Sequence, residues 1–105
     1  MACNLEFIEF VQTQLEHIGI VHARKMFGDY MIYVDDRAVA LACDNCIYVK
    51  IHPAIEHLMH NAERGIPYEG AREHYILDIG HRSHAEQVIS ILRDTLPPPK
   101  RTNKI

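Results

Sequence analysis

The sequence predicts an α+β domain in which helices pack on one face of an antiparallel sheet. Apolar residues recur at three- and four-residue steps near both ends, at Leu5, Ile8, Val11, Leu15 and Ile18, and again at Val88, Ile89, Leu92 and Leu96. Between them lie three strand-like runs, Tyr30 to Val34, Ala38 to Ala42 and Cys46 to Ile51. Asp35-Asp36 and Asp44-Asn45 separate these runs. Both pairs suit two-residue hairpin turns, because Asp and Asn tolerate left-handed backbone.

The elements follow in order. Asn4 is placed to cap the first helix, and Gly19 to stop it. Residues Ile20 to Lys25 suit a short strand, which Met26-Phe27-Gly28-Asp29 breaks. The three runs then form a meander. His52-Pro53 opens a second helix with Pro at its first position and Ile55, Leu58 and Met59 as its apolar face. Gly65, Pro67 and Gly70 mark Arg64 to Gly70 as loop, and His74 to Ile79 reads as a further short strand ended by Gly80. Ser83-His84-Ala85-Glu86 has the pattern of a capping box for the last helix, which Pro97-Pro98-Pro99 ends. A domain over residues 1–96 and a basic, flexible tail over 97–105 are expected, with no internal repeat.

Size and composition narrow the function. A chain of 105 residues buries roughly 60–65% of its unfolded surface, enough for one core without a deep cavity. Hydrophobic residues at 48% and charged residues at 24% are ordinary globular usage. No run approaches a membrane span, and Glu6 and Glu9 interrupt any signal-like segment near the start. Three cysteines make no disulfide framework, so reduced thiols and a cytoplasmic location are expected. Net charge is −3; Lys100, Arg101 and Lys104 contribute +3, which leaves −6 on residues 1–96. Such a body repels a nucleic-acid backbone. Any nucleic-acid affinity is expected to be weak and to reside in Lys100, Arg101 and Lys104.

Arg24-Lys25-Met26-Phe27-Gly28, followed by Ile32-Tyr33-Val34-Asp35, Ala40-Leu41-Ala42, Ile47-Tyr48-Val49-Lys50 and then Tyr75, resembles the N-terminal domain of the bacterial competence regulators called TfoX or Sxy. The resemblance covers nearly the whole chain, and its specific part lies between residues 22 and 50. It implies a fold similar to secretion-chaperone-like domains, a bacterial source and no known catalytic activity. The chain departs from the family pattern at Asp29, where a second glycine is common, and at Asp36, where the first turn is commonly Asp-Gly. The full-length regulators carry a second, C-terminal domain, so the resemblance is to a stand-alone single-domain member.

Candidate chemistry is sparse. Cys43-Asp44-Asn45-Cys46 is a C-x-x-C, but its spacer reads as a hairpin turn rather than the helix N-terminus that activates a redox thiol. Cross-strand neighbours are the plainer reading; a small metal- or thiol-dependent enzyme at Cys43 and Cys46 is the alternative. His57 and His60 share a helix face, and His81 and His84 straddle a cap, yet no third ligand stands at a motif spacing. Gly28 stands alone, so no glycine-rich loop cradles a phosphate. It suits a positive-φ turn, with Met26 and Phe27 packed inward. No metal or cofactor is expected.

The sheet faces are more informative. Regular pairing from both turns places Met31, Tyr33, Ala38, Ala40, Ala42, Ile47, Val49 and Ile51 on one face, assigned to the core. The other carries Tyr30, Ile32, Val39, Leu41, Tyr48 and Lys50. Tyrosines among aliphatic residues are typical of protein interfaces. Tyr30, Ile32, Leu41, Tyr48 and Lys50 are therefore the candidate surface for a protein partner or a second copy in a homodimer, unless a loop or the first helix covers them.

Overall fold

The computed structural model describes residues 3–26 and 28–96. Helix α1, Leu5–Leu15, starts where the Asn4 side chain accepts a hydrogen bond from the Phe7 N–H at 2.8 Å. Ile8, Val11 and Leu15 are buried, while Leu5 in the first turn is 66% exposed and lies outside the buried stripe. Gln14 is buried with them. Its Nε2 donates to the Ile79 carbonyl at 2.9 Å, which satisfies both groups away from water.

Strands β1 (Val21–Met26), β2 (Asp29–Val34), β3 (Arg37–Cys43) and β4 (Cys46–Lys50) form the expected run of hairpins. Asp35, Asp36, Asp44 and Asn45 all have φ between 50° and 68°, as two-residue turns with left-handed backbone require. Gly28 has φ of 89°, so the predicted positive-φ turn forms; Met26 is half-buried, and Phe27 lies outside the described residues.

The segment after β4 differs from a regular second helix. It forms a 3-10 helix, Pro53–Leu58, capped by His52, whose Nδ1 accepts from the Ala54 N–H at 3.0 Å. The expected loop contains a two-residue strand β5 (Arg64–Gly65), which pairs with β6 (His74–Leu77). Helix α2 spans Arg82–Thr95 and begins two residues earlier than a cap at Ser83 demands. Ser83 is thereby inside the helix, His81 takes the cap position without a side-chain bond, and Glu86 pairs with Arg82 at 3.4 Å instead. The capping box does not form. The expected tail, with Lys100, Arg101 and Lys104, lies outside the described residues.

All neighbouring strands are antiparallel, in the order β1-β2-β3-β4-β6-β5. Ile32 and Val34 from β2, Ala40 and Ala42 from β3, Ile47 and Val49 from β4, and Tyr75 and Leu77 from β6 point to one side. There they form the core with Ile8, Val11 and Leu15 of α1, Ile55 and Met59, and Val88, Ile89 and Leu92 of α2. The molecule is an α+β domain with its helices on one face of an open six-stranded sheet.

One irregularity reverses part of the expected face assignment. The β2–β3 register runs Val34 to Arg37 and Tyr33 to Ala38, then shifts so that Ile32 faces Ala40. Val39 is the extra residue, a bulge that leaves Val39 and Ala40 both buried. Because side chains alternate with period two, one extra residue exchanges the faces of β2 relative to those of β3. Ile32 is thus fully buried, and Met31 and Tyr33 stand on the opposite face with the exposed Ala38.

Candidate open-face cleft

The face away from the helices is organised in two cross-strand rows. Arg24, Met31, Leu41, Tyr48 and Ile76 stand opposite one another across five successive strands. The second row begins with His22, Tyr33 and Ala38, is interrupted, and resumes with Lys50, His74 and Gly65. The interruption arises because the β3–β4 ladder ends at Leu41 and Tyr48, while β2 still accompanies β3 and β6 still accompanies β4. The sheet is therefore split between Ala38 on one side and Lys50 on the other.

A cleft of about 740 Å³ occupies this split. Met31, Leu41 and Tyr48 line it from the sheet, Leu92 and Leu96 from α2 beneath, and Tyr68 and Arg72 from the loop between β5 and β6. Ile51 and Tyr68 at its mouth are 41% and 56% exposed. Tyr48 meets His74 edge-on, with ring centroids 6.5 Å apart. A Cβ on Gly65 would lie 3.3 Å from both Tyr48 and Ile76, so glycine lets β5 approach the first row closely.

Of the five predicted contact residues, the structure brings Leu41, Tyr48 and Lys50 together here. It separates two from them. Ile32 belongs to the core, and Tyr30 packs against it from the helix side, because the Val39 bulge turned β2 over. Arg24 and Tyr33, quoted for the family resemblance, lie on the open face with Tyr48 and Lys50. Lys25 is exposed at the edge, and Tyr75 is a core residue with the Arg64 guanidinium 5.4 Å above its ring. Met31, Tyr68, Arg72 and His74 are cleft residues that alternation alone misses. For Met31 the missed signal is the bulge; for Tyr68, it is a large aromatic in a Gly/Pro-rich loop.

Cys3 and Cys43 have the opposite of activated character. Cys43 and Cys46 are register partners across their turn, and all three cysteines are free. Burial, helped by a hydrogen bond with Asp29, pushes the Cys43 thiol up to about 12. Burial raises Cys3 as well, although its sulfur accepts from the Asn45 N–H at 3.3 Å. Such thiols remain protonated at neutral pH, and a protonated thiol is a poor nucleophile or metal ligand. Burial also raises the Tyr48 hydroxyl, with the nearby thiols and Asp44 adding to it. His57 and His60 are exposed, and His81 and His84 lie with ring centroids 5.6 Å apart. Among the described residues, no three His, Cys, Asp or Glu side chains form a metal-binding group, and no helix is long and apolar enough to cross a membrane.

Comparison with known proteins gives two sequence matches. A protein of Spirochaeta aurantia, described as an uncharacterized 12.7 kDa protein in the trpE 5′ region, is 30% identical over 102 residues, spanning 95% of this chain and 89% of its own length. The family model of the TfoX N-terminal domain matches residues 13–95, from within α1 to the end of α2. The chain belongs to the TfoX N-terminal domain family.

Proposed function

We propose that the chain is a non-catalytic regulatory module that acts by binding another protein through the open face of its sheet. The observation that carries this is the apolar row of Met31, Leu41, Tyr48 and Ile76 on a face that, among the described residues, no helix covers. Interfaces combine such apolar centres with tyrosine, whose ring excludes water while its hydroxyl keeps a polar partner. Membership of a competence-regulator-type family not known as enzymatic supports the same reading, as do thiols that remain protonated.

The test is Tyr48→Asp, with Glu6→Lys on the far side of the molecule as control. Partner capture or self-association, read by light scattering after size exclusion, should be lost with Tyr48→Asp and retained with Glu6→Lys. Circular dichroism of both variants should match the unaltered protein. If Tyr48→Asp unfolds the domain, or leaves association intact, the open face is not the binding surface.

A further inference from the structure

We infer that the split between β3 and β4 is a docking slot for an extended, acidic peptide segment of a partner protein. The inference rests on the binding role proposed above and specifies the chemistry of the occupant. Its first support is backbone accounting. In a two-residue hairpin the residues flanking the turn, Cys43 and Cys46, form a hydrogen-bonded pair, and such pairs recur at every second position. Leu41 and Tyr48 are the next such pair, and there the ladder ends. Lys50 is the following position on β4, so its N–H and C=O point toward β3, where no strand partner meets them. Among the described residues, no hydrogen bond outside the ladders involves residues 38–40 or 50–51. Strand stretches with unpaired groups are templates for an added strand.

The second support is charge. The body is acidic, with −6 on residues 1–96, but the cleft is bordered by Lys50, Arg72 and His74. Its acidic neighbour Glu73 is engaged by Arg64 at 3.5 Å. Among the described residues, no carboxylate lies within 4.0 Å of the charged groups of Lys50 or Arg72. An anionic ligand therefore meets cations that are not already neutralised, inside a region of otherwise repulsive field.

The third support selects a peptide over a nucleic acid. The cleft offers aliphatic walls, Met31, Leu41 and Ile51, and at its floor the half-buried Leu96, with Leu92 packed behind it in the core. These suit the alternate side chains of an extended peptide, which project to one side at every second residue. Two tyrosines, Tyr48 and Tyr68, complete the rim. Among the described residues, a second copy of the chain offers two sheet edges, β1, whose Arg24 and Lys25 repel the same cations, and β5, which is only two residues long.

The experiment is selection of randomised heptapeptides displayed on phage against the intact chain, in parallel with a Lys50→Glu/Arg72→Glu variant whose fold is checked by circular dichroism. Sequences alternating acidic and aliphatic residues should be enriched on the unaltered chain. A synthetic peptide of the consensus should bind it at least about tenfold more tightly than the variant, and more weakly as salt rises. On addition of that peptide, the backbone amide signals of residues 38–41 and 48–51 should shift most. Failure to enrich any sequence, enrichment of basic sequences, amide shifts confined to β1, or tighter binding of an oligothymidylate at the same residues would each overturn the inference. Should a Tyr48-dependent protein partner be found while the peptide arm fails, the binding role stands and the acidic-strand assignment falls.

Discussion

The two hairpins of the meander have the same turn geometry and opposite fates. At Asp35-Asp36 the strands stay paired along their length but absorb an extra residue, Val39. At Asp44-Asn45 the register is regular, yet pairing stops after Leu41 and Tyr48. The first turn is also tethered. The Asp35 carboxylate accepts from the Ile20 N–H at 3.0 Å and lies 3.6 Å from the Arg93 guanidinium, while Arg37 donates to the Leu96 carbonyl at 3.3 Å. Among the described residues, the second turn's side-chain hydrogen bonds go to the segment before α1, where Asn45 accepts from the Asn4 N–H at 3.2 Å and its own N–H donates to the Cys3 sulfur. A tight turn thus specifies pairing beside itself. Further along the strands, packing beneath the sheet decides, and the tethered hairpin becomes core wall while the other opens into a cleft.

The largest expected effect breaks this comparison at its bulge. Ile32→Ala should lower stability by about 2–5 kcal/mol, since it empties a fully buried site. Met31→Ala, one residue away on the open face, should lower it by about 1 kcal/mol or less. In thermal unfolding the first should shift the midpoint by more than about 10 °C. Equal losses would mean that the faces of β2 are not divided as described.

A smaller effect sharpens the contrast between the turns. A Cβ at Gly19 would lie 2.7 Å from the Asp35 carboxylate, which is held in place by Ile20 and Arg93. Gly19→Ala should therefore destabilise by about 1–2 kcal/mol in denaturant titration, although Gly-to-Ala exchange elsewhere tends to stabilise. A gain in stability would show that the first turn is not tied down through this contact.

The smallest effect compares the second turn positions directly. Asp36→Gly should stabilise by about 0.5–1 kcal/mol by removing a side chain from left-handed backbone at φ 68°. Asn45→Gly should come out near zero in the same titration, because it forfeits the bond from Asn4. Equal gains at both positions would remove the distinction between a bare turn residue and an engaged one.

The fold was legible wherever one local rule decided the outcome. Asn4, the two turns and the stripes of α1 and α2 follow from capping, left-handed tolerance and helical period. Cys43 and Cys46 as plain cross-strand neighbours follow from turn length. The candidate site was legible on β4, where Tyr48 and Lys50 needed no assumption beyond alternation. It was misread on β2, because nothing in Ala38-Val39-Ala40 distinguishes a bulge from a regular strand: all three are small and apolar, and either face accepts them. The α2 cap was misread because Ser83 and Glu86 have the right spacing, but the helix starts two residues earlier, at Arg82, and takes Ser83 into its first turn. The cleft itself could not be read from local pattern, since it depends on where a ladder ends and which loop lies beside it.

The tie between Arg93 and the first hairpin has a consequence for how the chain is made. Arg93 donates to the Ile18 carbonyl as well as facing Asp35, so the residue that secures the Asp35-Asp36 turn is synthesised well after the turn itself. A ribosome adding about 5–20 residues per second needs roughly 3–12 s to pass from one to the other. During that interval β1, β2 and β3 are present without the helix that covers Ile32, Val34 and Ala42. The edge strand β1 carries Arg24 and Lys25, and charged edge residues of this kind disfavour pairing with another sheet edge.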